Sequence, residues 1–197
     1  MMPENREQQR KFEEFAYVLE NLQYGHPKDT RPLYKREPVV QAVGGDFFTL
    51  LELIPIPGVP IQPRERIAIG KWGREKIDHV KRRIDYEDLT QNAKDELQIV
   101  VEDLVGKNEG RYIFFFNNSG PVTTRMHSLE LLPGIGKKAM WQILEERKKG
   151  PFLSFEDIQN RTHIADPKKI IVKRIFMEMR NEDKYYIFCK PPVKKEI

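Results

Sequence analysis

Residues 128–144, SLELLPGIGKKAMWQIL, restrict the fold of this chain more than any other stretch. Two amphipathic segments flank Leu132-Pro133-Gly134-Ile135-Gly136, and glycines spaced one apart allow a tight turn whose amides face outward just before a helix begins. The first amides of a helix have no internal acceptor, and the aligned peptide dipoles leave about half a positive charge there. A phosphate can therefore accept hydrogen bonds from Gly134, Gly136 and Lys137, with Lys137 and Lys138 adding mobile charge at the same end. Ile135 is expected to sit beneath the turn as its apolar pin, and Leu129, Leu132, Ile143 and Leu144 to join the two segments.

The order of a short apolar helix, a Pro-Gly-apolar-Gly hairpin and a basic helix start resembles the helix-hairpin-helix motif of DNA and RNA processing proteins. That motif grips sugar-phosphate backbone without reading bases. One position departs from the pattern: four places after the second glycine, where the motif carries a small residue, this chain has Met140, with Ala139 one earlier, which implies a wider helix crossing. The competing reading is that the glycines only shape a hairpin in a helical packing module.

Charge is distributed in keeping with the first reading. Of the 34 Lys and Arg and 30 Asp and Glu in 197 residues, 16 basic and 10 acidic residues lie from Pro121 onward. The basic excess thus belongs to the half that carries the hairpin, as an electrostatic footprint for nucleic acid would, although a solvated basic surface has the same composition. No run approaches the roughly 18 apolar residues of a membrane span, and the opening residues are too charged for a secretory signal, so a cytoplasmic location without a membrane partner is expected. The single Cys189 excludes an internal disulfide and reads as a small packed residue.

In chain order, residues 1–11 are polar and expected to fray, and 12–22 fit either a helix or a strand, with strand favoured by Phe15-Ala16-Tyr17-Val18-Leu19. A Pro- and Gly-broken loop follows at 24–32. Residues 39–43 and 47–54 read as a hairpin closed by a tight turn at Gly44-Gly45-Asp46, and 55–63 as a stiff exposed connection. Residues 66–70 and 76–84 read as further strands. Thr90 caps a helix through Ala93, Leu97, Val100, Val101 and Leu104, ended at Gly106, and 111–116 reads as another strand. This order predicts an α+β chain whose domain at 12–118 is a small OB-like β-barrel with one helix. Such barrels can stack bases on aromatics beside a basic groove, which Trp72 with Lys71, Arg74 and Lys81-Arg82-Arg83 could supply; Trp72 plugging one barrel end is the alternative. Phe114, Phe115 and Phe116 read as core.

After the turn-rich linker at 117–121 the pattern is wholly helical, predicting an all-α domain at 119–182. Ser154 starts a helix with Asp157 in the capping-box position and Leu153 and Ile158 as a hydrophobic staple. His163-Ile164-Ala165-Asp166 occupies the place of a second hairpin, with Asp166 as cap and Pro167 in the first turn of a last helix. The phrase KGPFLSFEDI resembles the connector of paired helix-hairpin-helix domains, implying a doubled unit. The second hairpin lacks glycines and carries Asp166, so it reads as the structural partner of the first, while Lys168, Lys169, Lys173 and Arg174 leave its helix basic. Ile171, Val172, Ile175, Phe176 and Met179 read as core. Residues 183–197 are expected to hold a terminal strand at 184–189 and a loose basic tail.

PLYKREP, VGGDFFTLLEL, the Ile69-Gly70-Lys71-Trp72-Gly73 turn and LPGIGKKAMWQILEERKKGPFLSFEDI together resemble an uncharacterised archaeal family, domain of unknown function 655, over nearly the whole chain. The resemblance implies a β-barrel joined to a helix-hairpin-helix pair and a nucleic-acid-binding role, with no established reaction. Members tend to be encoded beside ribosomal-protein, RNA polymerase subunit and ribosomal RNA methyltransferase genes, which by association favours RNA over DNA and points to ribosomal or translation components as partners. His26, His79, His127 and His163 lie far apart, without metal-ligand spacing, and no nucleotide-binding glycine loop or serine elbow is present. No cofactor, metal or catalytic residue is therefore expected. The leading expectation is a non-catalytic binder of nucleic-acid backbone. The alternatives are a metal-dependent nuclease or RNA-modifying enzyme subunit, with Glu52, Asp78, Asp85 and Asp88 as possible Mg²⁺ ligands, and a protein adaptor.

Overall fold

Alternating apolar residues build the first half into strands β1 (Phe15–Leu22), β2 (Val39–Gly44), β3 (Leu50–Pro55), β4 (Arg66–Ala68) and β5 (Ile77–Arg83). The computed structural model describes residues 12–71 and 73–192; the start at 1–11, Trp72 and the last five residues of the basic tail lie outside it. All strand pairs are antiparallel, in the order β4-β1-β2-β3-β5, and the sheet curls into a half-barrel. Its inner face carries Ala16, Val18, Val40, Ala42, Leu51, Leu53, Ile67 and Ile77. The other face of β2 is buried too, so that strand is covered on both sides. There Gln41, with no solvent exposure, donates to the Asp88 carbonyl (3.0 Å) and accepts from the Thr90 amide (3.0 Å), tying the approach to the next helix to the sheet.

The β2–β3 connection is longer than the expected tight glycine turn, because strand pairing starts at Val43 and Leu50. A side chain organises it. The Glu13 carboxylate, nearly buried, accepts from the amides of Asp46 (2.9 Å), Phe47 (3.1 Å) and Thr49 (3.1 Å), satisfying loop amides that the sheet leaves unpaired.

Helix α1 (Gln91–Lys107) is capped by Thr90, whose hydroxyl oxygen accepts from the Ala93 amide (3.1 Å), and it runs one residue past Gly106. The strand expected at 111–116 is instead helix α2 (Glu109–Asn118). Three consecutive phenylalanines carry strong strand propensity, but burial of Tyr112, Ile113 and Phe116, with Phe114 exposed, has the helical period. The following segment is not wholly helical either: β6 (Pro121–Thr123) and β7 (Met126–His127) form a short hairpin. Helices α3 (Lys137–Lys149), α4 (Phe155–Thr162) and α5 (Pro167–Met179) follow. Ser154 caps α4, accepting from the Asp157 amide (3.0 Å), but Asp157 reciprocates to the Leu153 amide (3.1 Å), and Leu153 is 81% exposed, so no staple with Ile158 forms. Asp166 caps α5 by accepting from Lys169 (2.9 Å), with Pro167 in its first turn.

The described residues of Met1–Val100 and Phe188–Ile197 make one compact unit and Val101–Ile187 another, with the division inside α1. The strand expected at 184–189 does not form. Tyr185 gives its carbonyl to Arg174 and Ile187 gives its amide to Glu178 (3.0 Å), so side chains already hold backbone groups that a strand ladder would need. Phe188 and Cys189 are buried as irregular chain in the first unit, where the Lys190 amide donates to the Phe47 carbonyl (3.2 Å).

The expected core face of α5 is buried throughout, but Arg174, expected on its basic face, is wholly buried as well. Its guanidinium donates to Glu178 Oε1 (2.8 Å), Asp183 Oδ2 (2.8 Å), the Leu131 carbonyl (2.9 Å) and the Tyr185 carbonyl. The nearby guanidinium, chiefly by its hydrogen bond, holds the Asp183 carboxyl below the ordinary range. Replacing Arg174 by Met removes four hydrogen bonds and leaves the buried Glu178 carboxyl without its guanidinium partner. We expect a loss of about 3–5 kcal/mol of unfolding free energy by chemical denaturation, and a clearly smaller loss when Glu178 is changed to Leu in the same chain.

Candidate nucleic-acid interface

The hairpin singled out by sequence begins with one turn of 3-10 helix, Ser128–Leu131, in place of the expected short α-helix. Pro133 explains the difference: it forces Leu132 into an extended conformation, leaving too few residues after β7 for a longer helix. Gly134 then takes φ +86°, which an L side chain rarely adopts, and the Ile135 amide donates to the Leu132 carbonyl (3.0 Å) to close the turn. Ile135 is 4% exposed and is the pin beneath the apex; Leu129, Leu132 and Ile143 are buried with it, and Leu144 is half-buried. Met140, the departure from the motif, is also buried.

Gly136 is the N-cap of α3, with φ −87° and ψ −179° and no side chain to cap the helix. The first helical bond runs from the Met140 amide to the Gly136 carbonyl (2.9 Å), so the Lys137, Lys138 and Ala139 amides find no backbone acceptor among the described residues. Gly134, Gly136, Lys137 and Lys138 are exposed. A Cβ built on Gly136 would meet no atom within 4 Å. Neither its ordinary backbone angles nor the packing of the chain requires glycine there. Beside the apex runs an open groove of about 700 Å³, lined in part by Met126, Leu132, Gly134, Gly136, Met177 and Tyr185.

The remaining expected contact residues are placed differently. Lys169 is exposed, but Lys168 is half-buried, its Nζ 3.0 Å from the position a Cβ on Gly106 would take, near the negative end of α1. In the first unit, Lys71 is exposed and Trp72 lies outside the described residues. The Arg74 guanidinium donates to the carbonyls of Ile69 (3.0 Å), Gly70 (2.9 Å) and Asp78 (3.1 Å), so it holds its own loop. Lys81 and Arg82 pair with Glu37 (3.4 Å) and Glu52 (2.7 Å), and Arg83 donates to the Pro191 carbonyl (2.7 Å). The acids weighed as Mg²⁺ ligands are likewise engaged: Glu52 with Arg82, Asp78 with His79 Nδ1 (2.6 Å), and Asp85 and Asp88 in the reciprocal cap of the turn at 86–88. Among the described residues no group of three or more His, Cys, Asp or Glu is arranged to hold a metal ion.

Two kinds of residue escape the sequence reading. Three arginines of the second unit act as internal clamps: besides Arg174, Arg147 donates to the Ser119 carbonyl (2.9 Å), and Arg161 to the Gly150 carbonyl (2.8 Å) while lying over the Phe152 ring (4.4 Å). Nothing in their spacing marks them, since the carbonyls they reach lie 11 to 43 residues away in sequence. Trp141, by contrast, is 60% exposed, one turn along α3 from Lys137. The helical period alone puts it on the lysine face and away from Met140 and Ile143, a signal readable in the sequence.

Entry into the hairpin is titratable. His127 Nδ1 accepts from the Leu129 amide (3.1 Å), and the Glu130 carboxylate accepts from the His127 amide (2.8 Å), a reciprocal cap that needs an unprotonated Nδ1. Burial, reinforced by Arg147 and opposed by Glu130, lowers the His127 pKa below its ordinary value of 6.5. The unfolded chain therefore binds a proton more readily, so this contribution to stability is complete above about pH 6.5 and is lost as pH falls through the lowered folded value. We expect thermal stability to drop between pH 7.5 and 5.5 in the native chain, and His127→Asn, which keeps an acceptor oxygen without titrating, to flatten that drop.

The chain has relatives of similar sequence, one of them with a solved structure of like architecture. A protein of Methanocaldococcus jannaschii described as uncharacterised is 49% identical over 183 residues, covering 92% of this chain and 82% of its own length. A crystal structure of an Archaeoglobus fulgidus family member superposes with a TM-score of 0.82 at 50% identity, covering 90% of this chain and 100% of that one. The family described as protein of unknown function, DUF655, matches residues 12–190, and the chain belongs to it.

Proposed function

We propose that this protein binds nucleic acid, RNA in preference to DNA, by gripping sugar-phosphate backbone at the apex of a helix-hairpin-helix, without sequence specificity. The observation that carries the reading is Gly136. Its angles suit any residue and no internal atom crowds its Cβ direction, so the N-cap of α3 is bare and open to close approach by an external group. The unpaired amides of Lys137, Lys138 and Ala139 converge there with two exposed lysines, a donor set suited to phosphate oxygens. In this reading the 3-10 turn, the apex and α3 form the first hairpin unit. The segment α4, residues 163–166 and α5 forms its structural partner, with Asp166 keeping phosphate away from the second apex.

The first unit fits the same class. We read the curled sheet β4-β1-β2-β3-β5 as OB-like in the order of its neighbours, with β3 and β5 antiparallel where an OB barrel pairs them in parallel, and OB-like scaffolds often carry single strands. With Arg74 and Lys81 to Arg83 engaged within that unit, the hairpin carries the larger share of backbone contact. The preference for RNA rests on the genomic company of the family.

The test is a fluorescence-anisotropy titration of the full chain against RNA and DNA oligonucleotides at 50 and 200 mM salt. Two or three neutralised phosphates should cost about tenfold in affinity over that range. Gly136→Asn discriminates binding from folding. Asparagine caps a helix at least as well as glycine, so melting temperature should hold or rise, while its carboxamide oxygen occupies amides that a phosphate would need. Affinity for all sequences should fall alike, by about tenfold. Unchanged affinity in Gly136→Asn, or binding indifferent to salt, would overturn the reading.

A further inference from the structure

We infer that Trp141 is a stacking platform for an unpaired nucleobase, which makes the hairpin site selective for single-stranded or looped RNA over the interior of a duplex. The inference rests on the backbone-gripping reading above and adds to it the class of strand.

An indole is costly to leave in water, and on α3 its placement is systematic. The exposed residues of the helix are Lys137, Lys138, Trp141, Glu145, Lys148 and Lys149, one stripe at helical spacing, whereas Met140 and Ile143 are buried against the unit. Trp141 thus lies on the stripe that starts at the hairpin apex, about 6 Å along the axis from Lys137 and between the directions of the two lysines. No neighbouring aromatic ring or cation covers it among the described residues, although Arg161 covers Phe152 and Arg111 faces Tyr112 in the same unit.

A phosphate at the apex amides therefore has, one helical turn away, a free π-face for a base of the same strand. A paired base keeps its faces stacked within the duplex and cannot offer one except at an end, so the combination of anion site and bare indole selects unpaired nucleotides. Glu145 follows Trp141 by one turn and pairs with Lys148 (2.7 Å), so the stripe beyond the indole carries less free positive charge than its start at Lys137 and Lys138.

The experiment compares the native chain, Trp141→Ala, Trp141→Phe and Gly136→Asn against a single-stranded RNA and an RNA duplex of the same sequence whose two ends are closed by covalent linkers. Trp141 is exposed and alanine favours helix, so melting temperature should be unchanged in Trp141→Ala. Single-strand affinity should fall about tenfold or more in Trp141→Ala, with duplex affinity and salt dependence unchanged, and Trp141→Phe should retain most of it. RNA-dependent quenching of tryptophan emission in the native chain should be lost in Trp141→Phe although binding persists. If Trp141→Ala binds single strand as the native chain does, the platform is overturned, and Trp141 serves some other contact such as a protein partner. If it weakens single strand and duplex equally, strand selectivity is overturned. In either case a weakened Gly136→Asn leaves the phosphate grip standing. If Gly136→Asn is inert while Trp141→Ala loses single-strand affinity, the phosphate grip fails and the platform survives alone.

Discussion

The second unit depends on one buried guanidinium. Arg174 has no solvent exposure and takes its partners from three separate parts of the chain: its own helix through Glu178, the segment after that helix through Asp183 and the Tyr185 carbonyl, and the entry to the first hairpin through the Leu131 carbonyl. A buried ion pair gains little over a well-packed apolar pair, because desolvation consumes most of the attraction. What this one does is set geometry. The planar fork fixes where Leu131 ends its turn, and Leu132-Pro133-Gly134 follows from there.

That arrangement separates two tasks that share a charge. In the second unit Arg147, Arg161 and Arg174 satisfy carbonyls and carboxylates inside the fold, while Lys137 and Lys138 stand exposed at the start of α3. The difference suits the chemistry: a guanidinium serves several fixed acceptors at once, whereas an ammonium on a flexible stem follows a mobile partner. The basic excess of this half of the chain therefore overstates its available positive surface, since Arg147, Arg161 and Arg174 contribute to folding first.

Much of the framework was legible from residue order. Alternation placed β1 to β5 within a few residues, Thr90, Ser154 and Asp166 were readable as caps, and the Pro-Gly-Ile-Gly turn with its buried pin follows from local chemistry. Local preference misled where burial chose the period: Phe114, Phe115 and Phe116 favour a strand in isolation, yet Tyr112, Ile113 and Phe116 bury as one helical face. It also misled where long-range partners took backbone groups, as at Tyr185 and Ile187, and where Glu13 stretched the β2–β3 turn by holding three amides from outside it. Trp141 needed only the helical period to be seen as exposed, whereas the burial of Arg174 left no mark in its spacing.

By itself the sequence determined the features set by neighbouring residues: which segments alternate, where helices are capped, and that Gly134 and Gly136 flank an apolar residue before a basic helix start. These are short-range consequences of sterics and unpaired amides, and they need no knowledge of the rest of the chain. Only the tertiary structure decided which cations remain available and that the surface beside Gly136 stays open. Those depend on which carbonyls and carboxylates come within reach once distant segments pack, and that separation in sequence is what residue order does not carry.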